Sequence, residues 1–201
     1  MAINEVKIIG LTGMSGAGKT TACAIFEKEG FEIIDCDVIC REIVEKGKPC
    51  LNEIVNAFGK EILNSDGTLC RRKMGKIVFT QKDKRESLNG IMYPYVSYIV
   101  IKRVLSAKNR FVIIDAPTLF ESGTDGLCDI VVSIVAERES LIDRIAERDG
   151  IDRNMAESRL DSQHNADFFI ENSDYVIQNN NNVEEFTRSV LKTAYSIKED
   201  K

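Results

Sequence analysis

A glycine-rich segment at residues 13–20 constrains the fold of this chain more than any other part of its sequence. It matches Gly-x-x-x-x-Gly-Lys-Ser/Thr, the pattern of a phosphate-binding loop. An apolar run over residues 6–11 precedes it and predicts a buried strand, and a helical pattern over residues 20–29 follows it. Strand, loop and helix in this order are the structure that the motif requires. The sequence therefore predicts that a polyphosphate binds at the end of the first strand.

The predicted loop would bind phosphate through its backbone and two side chains. Glycines allow a tight turn in which several N–H groups face one phosphate chain, and the following helix adds its positive end. Lys19 is expected to reach the outer phosphates, and the Thr20 hydroxyl is expected to bind Mg²⁺. The predicted nucleotide contacts are Gly13, Met14, Ser15, Gly16, Ala17, Gly18, Lys19, Thr20 and Thr21. A chance match in an ordinary glycine turn is the alternative.

Composition and charge narrow the class of protein. The chain has 201 residues, of which 43% are hydrophobic, so it is long enough for one domain with a substantial core. Its net charge of -5 argues against a general nucleic-acid binder. Residues 1–5 lack the pattern of a secretory signal, and no apolar stretch is long enough to cross a bilayer. We expect a cytoplasmic protein without a nucleic-acid or membrane partner; the oligomeric state stays open.

The rest of the chain predicts an α/β fold, since short β-branched runs alternate with helical patterns. Nearly continuous apolar runs are typical of parallel strands that are covered on both faces. The four further strands are predicted at residues 31–35, 110–114, 129–135 and 175–177.

The helical patterns predict two further regions within the single domain. A region at about 49–107 is expected to cover the substrate, with a packing subdomain as the alternative. Pro94 is predicted to break or kink a helix there. The helical pair at about 137–165, interrupted by Gly150, is expected to form a closing lid.

Acidic residues follow two predicted strands, at the edge where open α/β sheets bind ligands. Asp35 and Asp37 alternate and could face the same side, and one carboxylate could accept the proton of a substrate hydroxyl. The alternative is that Asp37 is the N-cap of the following helix. Asp115 could hold Mg²⁺ through water, or it could be a turn residue before Pro117.

Arginines cluster in the predicted lid. Arg144 and Arg148 are one helical turn apart, and a phosphate between them would replace their repulsion with charge-assisted hydrogen bonds. The alternative is a solvated face neutralised by neighbouring acids. Arg71 begins a predicted helix and could meet an anionic substrate.

Several segments, in their order along the chain, resemble the dephospho-CoA kinase family. They are the phosphate loop, residues 34–42 (similar to the family's Ile-Asp-Ala-Asp segment), residues 67–79, residues 117–121, residues 148–150 and residues 162–163. The resemblance implies a three-layer P-loop fold with a five-stranded parallel sheet, a helical coenzyme-binding region and a lid. It further implies transfer of the γ-phosphate of ATP, with Mg²⁺, to the ribose 3′-hydroxyl of dephospho-CoA.

The resemblance also implies roles for individual residues. Asp37 matches the family's catalytic acidic residue, Lys19 its phosphate-loop lysine and Arg148 its lid arginine. Arg144 is expected to contact the nucleotide. Arg71, Tyr93 and Pro117 fall in segments on the acceptor side.

The chain departs from the family pattern at a few positions. Met14 stands where a second glycine is usual, and Tyr93 stands where a histidine is usual. Thr118 replaces a leucine, and residues 179–181 lack an expected glycine. Tyr93 and Thr118 lie in segments on the substrate side and bear on the identity of the acceptor, so a nucleoside monophosphate kinase is the alternative. A nucleotide switch is a third possibility, although no Asn-Lys-x-Asp segment supports a GTPase.

Overall fold

The computed structural model describes residues 6–200, so the sequence prediction about a signal in residues 1–5 lies outside the described residues. Five strands in that range form one parallel sheet in the order 2-3-1-4-5. The strands are β1 (Lys7–Gly13), β2 (Glu32–Asp35), β3 (Phe111–Asp115), β4 (Ile130–Val135) and β5 (Tyr175–Gln178). The predicted fold class and all five strand positions are confirmed, with bounds that differ by one or two residues.

Helices connect the strands. They are α1 (Lys19–Lys28), α2 (Cys36–Glu42), α3 (Pro49–Phe58), α4 (Arg71–Thr80), α5 (Lys82–Leu105), α6 (Arg138–Asp149), α7 (Arg153–Asp161), α8 (Ala166–Glu171) and α9 (Val183–Glu199). Of these, α1, α8 and α9 pack on the sheet. Among residues 6–200, no helix has the length and apolar character that spanning a bilayer demands.

The described chain forms two compact units. One is built from the chain up to Ile34 and from Ser106 onward, and the other spans Asp35–Leu105. The first contains the sheet core. The second contains α2 to α5, with α5 packed against the other three helices. It begins before the predicted helical region of about 49–107 because α2 packs on α5.

The central strand β1 positions the phosphate loop. It lies between β3 and β4, where Leu11 is level with Asp115 and Gly13 is level with Ile134. Every residue of β4 is buried, and α8 packs on this strand while α1 contacts β1. Burial of these apolar side chains, at about 25 cal/mol per Å², holds the strand ends in place. The loop therefore follows the central strand of the sheet, next to the fully buried β4.

The prediction that Pro94 breaks the helix is wrong, because α5 runs without interruption from Lys82 to Leu105. Proline removes one N–H from the helical ladder and crowds the preceding turn. On its carboxyl side, Val96, Val100 and Val104 are buried within the same unit. Tertiary packing of that face outweighs one missing hydrogen bond in a 24-residue helix.

Candidate active site

The phosphate loop leaves β1 through a turn that only glycine fits. Gly13 has a φ of +129°, and a Cβ built on it would lie 2.1 Å from the Ile134 carbonyl oxygen. The next amide, that of Met14, donates to the same oxygen at 3.1 Å. Buried side chains of Met14 and Ala17 anchor the loop. Met14 and Ala17 were both predicted to contact the nucleotide, and with their side chains buried they can do so only through their backbone.

The loop ends at the N-terminus of α1, where several backbone N–H groups have no acceptor among the described residues. Gly18 is the N-cap, and no side chain caps this helix. The amides of Gly16, Gly18 and Thr20 donate to no acceptor among the described residues. Such N–H groups at a helix N-terminus form a ready anion site. The geometry matches the predicted phosphate site.

Lys19 crosses the loop that it follows. Its ammonium donates a 3.0 Å hydrogen bond to the Gly13 carbonyl oxygen, and the side chain is half-buried. Thr20 and Thr21 are exposed in the first turn of α1. The positive charge and the Thr20 hydroxyl thus belong to the same short segment as the donor amides.

Two side chains fix the outer face of the loop by binding its carbonyl oxygens. The side-chain amide of Asn179 donates to the Ala17 oxygen at 2.8 Å. Arg144 donates to the Asn179 oxygen at 3.0 Å and to the Gly16 oxygen at 3.5 Å. These hydrogen bonds hold the Gly16 and Ala17 carbonyl oxygens in place. Arg144 was expected next to a nucleotide, and the structure places it against the phosphate loop.

No role in the site was predicted for Asn179, since residues 179–181 were noted in the sequence only for a missing glycine. The available signal was its position directly after β5, at the carboxyl edge of the parallel sheet.

The lid arginines have carboxylate partners. Arg148 donates to both oxygens of Asp149, at 2.8 and 2.9 Å, and Arg159 binds the same carboxylate. The hydrogen bond from Arg148 lowers the pKa of Asp149 below its ordinary range and raises the pKa of Arg148. The guanidinium groups of Arg148 and Arg144 therefore have different partners, rather than one shared site.

The expected alternative, a face neutralised by nearby acids, describes part of this region. Arg153 binds Glu139 and Asp143, and Arg138 binds Glu157 and Asp161. These pairs are exposed, so each contributes little stability.

The two predicted magnesium ligands both lie in the unit that contains the sheet. Asp115 is the last residue of β3 and is level with Leu11, two residues before the phosphate loop. Residues 6–200 contain no group of three or more His, Cys, Asp or Glu side chains that could hold a metal ion. A nucleotide-bound Mg²⁺ needs only one or two protein oxygens, with phosphates and water as its other ligands. The hydroxyl of Thr20 and the carboxylate of Asp115 fit that requirement.

In the other unit, the capping alternative for Asp37 is wrong. Asp35 is the N-cap of α2, because its carboxylate accepts from the Val38 amide at 2.9 Å. Asp37 lies in the first turn of the helix, so the expected strand alternation of the two aspartates is also wrong. Its side chain is exposed and takes part in no hydrogen bond or ion pair with any residue in the range 6–200.

Asp37 and Arg71 lie around a common thiol. Burial raises the pKa of Cys40, the charges of Asp37 and Asp35 raise it further, and that of Arg71 opposes them. Arg71 is exposed as the first residue of α4, and Tyr93 is half-buried on α5. The structure thus places two predicted acceptor-side residues, of opposite charge, in one neighbourhood.

A largely apolar cavity of about 430 Å³ lies in the same unit, between the start of α3 and the middle of α5. Its walls include Pro49, Cys50, Pro94, Tyr95, Tyr98 and Ile99. The Tyr95 hydroxyl donates to Glu53 at 2.6 Å, and burial raises the pKa of Cys50 to about 11. The thiol is therefore neutral at physiological pH.

Pro117, the remaining acceptor-side prediction, lies in the sheet unit just after β3 and is exposed.

A parallel sheet in this order, with a phosphate loop after its central strand and an arginine-rich helix pair after β4, defines a P-loop kinase. The dephospho-CoA kinase family model matches residues 7–185. A dephospho-CoA kinase of Fusobacterium nucleatum is 38% identical over 193 residues, which cover 96% of this chain and 100% of that protein. The chain belongs to the dephospho-CoA kinase family.

Solved structures agree with this assignment. A dephospho-CoA kinase from Campylobacter jejuni superposes with a TM-score of 0.70 at 26% identity, covering 94% of this chain and 96% of the other. The protein TT1252 from Thermus thermophilus superposes with a TM-score of 0.83 at 23% identity, covering 96% and 97%. At that identity the second likeness supports the fold alone.

Proposed function

We propose that this protein transfers the γ-phosphate of ATP to the ribose 3′-hydroxyl of dephospho-CoA, giving CoA and ADP. The observation that carries the proposal is the phosphate loop, with Lys19 and with amides that donate to no described acceptor, in a chain of the dephospho-CoA kinase family. Phosphoryl transfer needs positioning and charge stabilisation more than covalent chemistry from the protein. The loop supplies both for a triphosphate.

The donor side of the proposed mechanism uses the loop and the lid. The amides of Gly16, Gly18 and Thr20 hold phosphate oxygens, and Lys19 neutralises charge on the outer phosphates. Bound Mg²⁺ would supply further neutralisation, held by Thr20 and Asp115. Arg148 would exchange Asp149 for the transferring phosphate, where a charge-assisted hydrogen bond is strongest.

The acceptor side uses Asp37. The ribose 3′-oxygen forms a bond to the γ-phosphorus while the bond to the β,γ-bridging oxygen breaks, and ADP leaves. The hydroxyl proton passes to the Asp37 carboxylate. Support comes from the side chain itself, which is exposed and has no other partner among residues 6–200. Asp35 already fills the capping role that would have given Asp37 a purely structural purpose.

The remaining proposals concern binding and location. We infer that Arg71 pairs with the acceptor's phosphates, and that Tyr93 and Pro117 contact the acceptor. The apolar cavity on α5 offers room for an apolar part of the same molecule. We place the reaction in the cytoplasm, since no disulfide joins the six cysteines in the described structure, as a reducing compartment requires.

A coupled assay of ADP release across a set of acceptors tests the proposal. Dephospho-CoA should be turned over, whereas nucleoside monophosphates should not. Lys19→Ala should nearly abolish turnover without unfolding the protein, while Lys28→Ala, at the exposed end of the same helix, should keep it. Turnover of a nucleoside monophosphate without turnover of dephospho-CoA would establish the alternative kinase class. ATP binding without transfer to any acceptor would favour a nucleotide switch.

A further inference from the structure

One amide of the phosphate loop donates to a side chain of the lid region. The backbone N–H of Ser15 gives a 3.0 Å hydrogen bond to the side-chain oxygen of Gln163, which is 148 residues away in sequence. Both residues are half-buried. By contrast, the amides of Gly16 and Gly18 in the same loop donate to no described acceptor.

Gln163 is fixed at its other end as well. Its side-chain NH₂ donates to the Arg159 carbonyl oxygen at 3.0 Å, and its backbone N–H donates to the Leu160 oxygen at 3.2 Å. The hydroxyl of Ser162 donates to the same Arg159 oxygen at 2.7 Å. The glutamine amide is therefore oriented by the last turn of α7, with its oxygen toward the loop.

This contact has a chemical consequence for a bound nucleotide. A single N–H serves one acceptor well, so the Ser15 amide cannot fully serve Gln163 and a phosphate oxygen together. The amides at the start of α1 lie where the inner phosphates of a nucleotide are cradled. Ser15 precedes the Gly18 cap by three residues and is therefore not one of those helix-start amides, which leaves its N–H for the outermost phosphate.

We propose that Gln163 is a positioning residue that competes with the outermost phosphate of ATP for the Ser15 N–H, and so sets the preference of the site between ATP and ADP. The inference rests on the proposed function, since it requires a nucleoside triphosphate in this loop. ADP lacks the phosphate that meets Ser15, so its binding leaves the bond to Gln163 in place.

The same contact links the nucleotide to the lid arginines. Gln163 binds the carbonyl of Arg159, and the guanidinium of Arg159 binds Asp149, which also holds Arg148. A phosphate that displaces Gln163 from the Ser15 N–H therefore frees one side of an amide whose other side is hydrogen-bonded to Arg159, at the end of α7. Arg159, at that end of α7, is one of the two arginines that bind the Asp149 carboxylate.

Two substitutions at Gln163 change the competition in opposite directions. Gln163→Met keeps the length of the side chain and removes the competing acceptor, so ATP should bind about two- to tenfold more tightly. Gln163→Glu keeps an acceptor and adds a negative charge beside the outermost phosphate, so ATP should bind about tenfold more weakly. The affinity for ADP should change much less in both variants.

Titration calorimetry with Mg²⁺-ATP and Mg²⁺-ADP, on protein whose fold is checked by thermal unfolding, measures both affinities. Ser162→Ala is the matched control, because it removes the other hydrogen bond on the Arg159 oxygen and leaves Ser15 untouched. It should not change the ratio of the two affinities. A ratio unchanged in both Gln163 variants, or shifted the same way in both, would overturn the inference. Wild-type protein that binds neither nucleotide would instead overturn the proposed function.

Discussion

The side-chain amide of Asn179 donates a 2.8 Å hydrogen bond to the Ala17 carbonyl oxygen and so joins the end of β5 to the phosphate loop. Asn179 is itself held on two sides, because its N–H donates to Val135 and its carbonyl accepts from Arg144. Asn179 therefore supports the phosphate loop through the Ala17 carbonyl oxygen.

Asn179→Asp should disturb this loop more than Asn179→Ala. The aspartate would turn a carboxylate toward the Ala17 oxygen, and leaving that carbonyl without its donor costs about 1–3 kcal/mol. We expect ATP to bind at least about tenfold more weakly. Isothermal titration with Mg²⁺-ATP measures this effect. Asn181→Asp is the matched control, because its side chain makes no hydrogen bond with the described residues. Equal affinities for ATP in the two aspartate variants would contradict the proposed support of the phosphate loop by Asn179.

Gly13→Ala should strongly destabilise the protein. The added Cβ would lie 2.1 Å from the Ile134 oxygen, and the φ of +129° is unfavourable for alanine. The expected loss is about 2–4 kcal/mol in the free energy of unfolding, from backbone strain and overlap together. Gly30→Ala also places alanine at a positive φ, but no atom lies within 4 Å of the added Cβ. Its free energy of unfolding should therefore fall by only about 1 kcal/mol. Urea unfolding measures both values; similar losses would contradict the steric argument.

Asp37→Asn and Asp35→Ala should separate chemistry from helix capping. Loss of a general base should lower kcat by about 10²–10⁴, with ATP affinity and melting temperature nearly unchanged. Loss of the N-cap at Asp35 should lower the free energy of unfolding by about 1 kcal/mol. Steady-state kinetics and thermal unfolding of both variants give the comparison. If Asp37→Asn lost stability and kept its kcat, the proposed role of this carboxylate would be wrong.

The pairing of Asp149 with Arg148 predicts a pH dependence of stability. Because the folded-state pKa of Asp149 lies below its ordinary value of 3.8, the folded state favours the ionised form. Its contribution is therefore complete above about pH 4 and is lost as the pH falls through the folded-state pKa. The stability gap between wild type and Asp149→Asn should be constant from about pH 5 to 8 and shrink below about pH 4. Denaturant unfolding across this range measures the gap; a gap that widened in acid would contradict the assignment.

Local patterns predicted most of the fold. Pro49 and Gly59 mark the ends of α3 because proline suits the first turn of a helix and glycine suits the residue after it. The apolar runs predicted the strands because both faces of a parallel sheet are covered. The path of α5 through Pro94 could not be predicted, since it depends on the burial of valines by parts of the chain that are distant in sequence.

The site was predicted where the motif is contiguous and missed where it is assembled by the fold. The loop from Gly13 to Thr20 is one segment, so its sequence alone indicates a phosphate site. The parts played by Asn179 and by the contact of Gln163 with Ser15 depend on residues more than a hundred positions apart. Capping was considered for Asp37 and not for Asp35, because either aspartate suits a helix N-terminus and the choice depends on where the first turn begins.

Product analysis by ³¹P and ¹H nuclear magnetic resonance is the most direct test of the central claim. The protein, ATP, Mg²⁺ and dephospho-CoA should yield ADP and an equal amount of a new phosphate monoester, coupled to the ribose 3′-proton. Lys19→Ala should yield neither product. A phosphate attached at any other position, or no transfer from a folded protein that binds both compounds, would contradict the account.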